Sequence, residues 1–165
     1  MKMLEKLLKR IQEGKKDNKG FSLVELIIVI AIMAILIGIV GMNVLPQIEN
    51  ARKATDAQVY SAMVSEAMEA YTQVKQAAGT YEIKVSVGSD GKVTGTTCSD
   101  SQLKAKFDEL AEAEKRVFKS KAAKDPANTT ITITCDQSNG VYIGTISGTT
   151  YTPPKGFEGY EFRSR

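Results

Sequence analysis

The stretch from Lys19 to Pro46, KGFSLVELIIVIAIMAILIGIVGMNVLP, constrains this chain more than any other part. From Leu26 to Leu45 run twenty residues without a charge, and Asn43 is the only clearly polar one. As a helix they rise roughly 30 Å, about the hydrocarbon thickness of a bilayer. Glu25 stands just before this run. The thirteen Leu, Ile and Val residues within it contribute about −4 to −8 kcal/mol to insertion. A carboxylate at the centre would cost at most about 3 kcal/mol, and less at an edge. Insertion therefore survives Glu25, which is left in want of a counter-charge.

Charge is distributed to match. Met1 to Gly20 holds seven basic residues against three acidic ones, and the remainder holds fifteen against sixteen. The positive-inside rule keeps the basic leader, residues 1–20, in the cytoplasm and sends everything past Pro46 outside. The near-neutral main body gives no electrostatic case for a nucleic-acid partner. Histidine is absent from the sequence, which removes the commonest metal ligand and general base. With no nucleophile motif either, neither an enzyme, a metal site nor a cofactor is expected. The only cysteines, Cys98 and Cys135, fall in the external part, where an even count favours one disulfide. Two reduced core thiols are the other reading.

Beyond Pro46 the pattern stays helical. Ile48, Ala51, Thr55, Val59, Ala62, Met63, Ala67, Ala70, Tyr71, Val74 and Ala78 recur at three- and four-residue steps. Arg52, Lys53, Asp56, Gln73 and Gln76 lie mostly off that stripe, and Gly79 supplies a stop. Residues 46–79 thus read as the amphipathic half of one helix whose apolar half is 21–45. Residues 80–165 read as a head. Tyr81, Ile83, Val85 and Val87 alternate with polar residues, GSDG (88–91) turns the chain, and Lys92–Thr97 returns as a hairpin. Ser99 and Gln102 have capping-box spacing before a second amphipathic helix near 100–120. TTITITC directs Ile131, Ile133 and Cys135 to one face, and QSNG leads into a strand over Val141–Ile146. The fold class is α+β: a very long N-terminal helix packed against an antiparallel sheet, with an extra helix.

The segment K-G-F-S-L-V-E combines a basic peptide ending at Gly20, an apolar helix opening at Phe21 and a carboxylate one turn in. Cleavage after Gly20 would give Phe21 a free ammonium group, a natural partner for Glu25 on its own chain or on a neighbour. This segment resembles the leader of the type IV pilins and the related type II secretion pseudopilins, with a class III-type leader. The resemblance is close over Gly20–Leu45 and architectural beyond it. It implies removal of residues 1–20 by a prepilin peptidase between Gly20 and Phe21, N-methylation at Phe21, and Glu25 docking each subunit onto its neighbour. It further implies a helical homopolymer raised by an inner-membrane assembly platform. The subunit would be a single-pass membrane protein held in lipid before assembly, then part of an extracellular filament for adhesion, motility or aggregation. The proline and a mid-helix glycine common in the family are shifted, with Pro46 four residues late and Ala34 replacing the glycine.

Other readings stay open. One is a pseudopilin or minor pilin of a secretion or DNA-uptake system; another is an uncleaved, membrane-anchored binding domain. A conventional signal peptide does not fit, because its apolar region would be shorter and end in an A-x-A-like site. Asn128-Thr129-Thr130 matches a glycosylation acceptor by chance. Asp136, Asn139 and Gly140 read as a turn before a calcium loop. Lys115, Arg116, Lys119, Lys121 and Lys124 read as a solvated helix face.

Overall fold

The computed structural model describes residues 21–74 and 79–164. The leader 1–20, with Gly20, and residues 75–78 at the expected end of the long helix lie outside them. Helix α1 covers Leu23–Val74 with Pro46 inside it. The chain divides into two compact units, the first ending at Val44 and the second being Leu45–Arg165. In the first, every residue from Phe21 to Val44 is exposed.

The second unit is the head. Strands β1 (Thr80–Val87), β2 (Val93–Cys98), β3 (Thr130–Asp136) and β4 (Gly140–Ile143) form an antiparallel sheet in the order β2-β1-β3-β4. Hairpin β1–β2 turns where GSDG stands. Gly91 there has φ +84°, and a Cβ on it would lie 2.2 Å from the Phe118 carbonyl oxygen, so only glycine fits. The Asp136 turn is likewise as read: its carboxylate accepts from the Ser138 and Asn139 amides. The expected strand Val141–Ile146 is broken at Gly144. β4 stops at Ile143, and a separate hairpin follows from β5 (Thr145–Ser147) and β6 (Thr150–Thr152).

One core joins α1 to the sheet. Ala57, Tyr60, Met63, Val64, Ala67 and Tyr71 meet Ile83, Val85, Ile131, Ile133, Val141 and Ile143. Tyr60 is ringed by Phe118, Phe157 and Phe162, each with centroids 5.1 Å away. The expected stripe is buried at Met63, Ala67, Ala70 and Tyr71, but at its start Ile48, Ala51 and Thr55 are exposed, whereas Asp56 is 0% exposed.

Helix α2 is Ser101–Ala111, shorter than expected and capped one residue later. Asp100, not Ser99, is the N-cap, its carboxylate accepting from the Leu103 amide at 2.8 Å. The helix ends at Glu112 in the left-handed region (φ 41°). The supposed basic helix face that follows is irregular chain, and Arg116 within it is a clamp. Its guanidinium donates to the carbonyls of Ala111 and Val59 and pairs with Glu66 on α1. Asn128 is 7% exposed and donates to the carbonyls of Ala122 and Lys155, which removes it as a glycan acceptor.

Asp56 explains its own burial. Its carboxylate accepts from the Lys119 amide at 2.9 and 3.1 Å and from the Ser120 amide at 2.7 Å. Bonds of an ionised acceptor to backbone donors are among the stronger ones. They fix the 116–124 loop against α1 and seat Phe118 beside Tyr60. Asp56→Ala would leave two backbone donors unpaired beneath the surface, a loss of about 2–4 kcal/mol. Denaturant unfolding of the full chain in detergent micelles should show it. A loss under about 0.5 kcal/mol, the range of ordinary surface substitutions, would mean that these bonds are not formed.

Candidate processing and assembly site

The head of α1 is built by four residues, Ser22-Leu23-Val24-Glu25. The first helical N–H groups lack intrahelical acceptors. Here Ser22 Oγ accepts from the Val24 amide at 3.4 Å, and Glu25 Oε2 reaches back to accept from the Ser22 amide at 2.9 Å. The Leu26 amide donates to the Ser22 carbonyl at 3.1 Å, the first rung of the helix. The glutamate bond is that of an S-x-x-E capping box, with the serine oxygen on the second helical amide instead of the third. Its signature stands in the sequence at Ser22–Glu25, so the glutamate is a cap as well as a charge in want of a partner.

Two consequences follow for the chemistry. Phe21 lies outside the helix and is 88% exposed, so the chain enters the helix at a defined residue just after the expected cleavage point. The Glu25 carboxylate sits at the positive end of the helix dipole, where an anion is favoured. One of its oxygens is committed to Ser22, and the other still has room for a donor. Further along, Asn43 donates to the Ile39 carbonyl at 3.1 Å and so hides its polarity within the helix. A Cβ at Gly38 or Gly41 would meet nothing within 4 Å.

The structure brings Phe21 and Glu25 together at one helix end. Gly20, the other side of the expected cleavage, lies outside the described residues. Cys98 and Cys135 are both free thiols, against the expected disulfide. The register gives the reason. Cys98 stands opposite Ile83 and Cys135 opposite Tyr81, on the two strands that flank β1. Alternate strands lie roughly 9.6 Å apart, whereas a bridge needs Cα atoms within about 7 Å. Cys135 points into the core beside Ile131 and Ile133, as read from its alternation.

A family model described as the prokaryotic N-terminal methylation motif matches residues 15–41. The chain therefore carries the class III leader of type IV pilins, joined to an apolar helix that fits it. The match spans the end of the leader and the first part of α1 and does not reach the head. Neither the curated proteins nor the solved structures return a match to this chain. What the motif supports is a protein of the type IV pilin and pseudopilin kind, and that group is structural and not enzymatic.

The thiols yield a direct test. Burial above all, with a smaller electrostatic effect of Cys98 across β1, pushes the Cys135 thiol up to about 12, so it stays protonated at ordinary pH and does not attack alkylating agents. Iodoacetamide at pH 8, without reductant, should modify the half-buried Cys98 in the folded chain and Cys135 only after unfolding. No labelling of either until reductant is added would establish the bridge that the register opposes.

Proposed function

We propose that this chain is the precursor of a structural subunit, the major pilin, of a type IV pilus. Residues 1–20 are removed by a prepilin peptidase between Gly20 and Phe21, and Phe21 is N-methylated. Phe21 to Leu45 holds the subunit in the membrane and then joins the filament core, with the head on the outside. The partners are other copies of the same chain, the peptidase and the assembly platform. No catalytic role, cofactor or nucleic acid belongs to this reading.

The observation that carries it is the coincidence of the methylation motif, residues 15–41, with a capped and wholly exposed apolar helix. Cleavage would place an ammonium group beside the helix N-terminus, whose dipole is positive and repels it. A carboxylate offsets that repulsion. Opposite unit charges about 4 Å apart attract by about 4 kcal/mol at an effective dielectric near 20. Glu25 already holds its own helix end together, so the remaining oxygen is the one a neighbouring ammonium would engage. Docking thus adds to the capping box and does not dismantle it.

Two measurements test this reading. Mass spectrometry of shed filaments should find N-methylated Phe21 as the first residue, and an intact Met1 in that material would contradict it. Glu25→Ala should leave the protein inserted in the membrane, since the loss of one cap at the helix end is small beside the insertion energy of the apolar run, yet stop polymerisation. Fibres of normal number and length from that variant would remove the pairing step.

A further inference from the structure

Positive charge in the head gathers where the apolar run ends. Leu45–Asp56 and residues 119–124 together hold five basic residues against two acidic ones, while the rest of the chain after Gly20 holds ten against fourteen. The two stretches are far apart in sequence, and backbone amides join them. Glu49 Oε1 accepts from the Lys121 amide at 2.5 Å, and Asp56 accepts from the amides of Lys119 and Ser120. Ser120 is 0% exposed, and its hydroxyl accepts from the Ala123 amide at 3.1 Å. The loop is therefore pinned to the first turns of the head's part of α1, with Ser120 turned inward and Lys119 and Lys121 outward.

The two signs of charge are sorted by depth. Asp56 is wholly buried and Glu49 Oε2 is closed off from solvent, so both carboxylates turn into the head. Arg52, Lys119 and Lys121 are exposed. The Lys119 and Lys121 ammonium groups have no ion pair among the described residues, and Arg52 lies 3.9 Å from Glu49, a weak exposed pair.

Distance along the chain decides what these cations meet. The helix rises about 6 Å from Leu45 to Glu49 and about 17 Å from Leu45 to Asp56. The headgroup layer outside the hydrocarbon is about 5–8 Å deep on each side, and a surface potential extends about a further 10 Å at ordinary salt. Covalent continuity thus keeps the loop within reach of a bilayer that ends at Leu45. A negative bilayer surface attracts each lysine or arginine held so near it.

We propose that Lys119 and Lys121, with Arg52 and Lys53, form a cationic collar that binds the anionic phospholipid headgroups around the emerging helix. The ammonium and guanidinium groups donate to phosphodiester oxygens. The proposal rests on the reading of Phe21–Leu45 as a segment held in the membrane, and it applies to the subunit before assembly.

The test places the full chain, one copy to a disc, in nanodiscs of phosphatidylcholine alone or mixed with phosphatidylglycerol. The neutral reagent N-acetoxysuccinimide acetylates exposed amines, and mass spectrometry of the digest reads each lysine. Phosphatidylglycerol should slow acetylation of Lys119 and Lys121 by about threefold or more, threefold being the proton enrichment at a typical anionic surface. Lys84 and Lys115 should be unaffected, and molar salt should abolish the protection. Equal rates in the two kinds of disc overturn the proposal. So does equal protection by soluble glycerol phosphate in phosphatidylcholine discs, which would mean a site for a free anion. Protection confined to discs carrying several copies would assign the collar to contact between subunits and overturn it too. A chain that enters neither kind of disc contradicts the membrane reading itself, whereas one that enters both and reacts equally contradicts the collar alone.

Discussion

An apolar helix face cannot remain in water, and from Phe21 to Leu45 this chain has apolar residues on every side of the helix. A soluble amphipathic helix would show one polar face. Here the exposed side chains are Leu, Ile, Val, Met and Phe, interrupted by small Ala and Gly. Two environments can cover such a surface: hydrocarbon, or the same surface on other copies. In the proposed function the cap at Ser22–Glu25 is what would let one be exchanged for the other. It satisfies the Ser22 and Val24 amides within the chain and leaves a carboxylate oxygen at the end where a new terminus would arise.

The head solves a different problem. α1 presents mostly small or slender side chains to the sheet, and the bulk of the core is an aromatic group around Tyr60 that comes from distant parts of the sequence. Phe118, Phe157 and Phe162 reach it on chain outside the named strands, tied to the sheet by the isolated bridges Lys92–Val117 and Tyr142–Arg163. Asp56 and Arg116 fix the Phe118 segment to α1 as well, one accepting backbone N–H groups and the other donating to backbone carbonyls. Both are charged residue types used as connectors inside the head.

The long helix, the first hairpin, the Asp136 turn and the inward alternation of Ile131, Ile133 and Cys135 were all legible in the sequence, because periodicity and turn residues are local signals. What was not legible depended on partners far along the chain. Asp56 reads as a surface residue until the Lys119 and Ser120 amides are seen to need it. α2 stops at Glu112, a residue with no stop signal, because Arg116 and Phe118 must turn inward. The disulfide was inferred from compartment and count, and neither says that β1 would separate the two thiols. At the site itself, Glu25 stands out as a charge at the start of an apolar run, and Gly20 and Phe21 through the resemblance of K-G-F-S-L-V-E to a pilin leader. The S-x-x-E spacing at Ser22–Glu25 is as local a signal as the one at Ser99, but the same glutamate also reads as a charge beside a membrane span.

The central claim is that the Phe21–Leu45 surface moves from lipid to protein when subunits assemble. Spin labels placed singly at Ile27, Ile35 and Leu45 can be measured for oxygen accessibility, first in membranes and then in shed filaments. The account predicts high accessibility in the bilayer, where oxygen concentrates, and a marked fall at all three positions in the filament. Accessibility unchanged between the two states would contradict it.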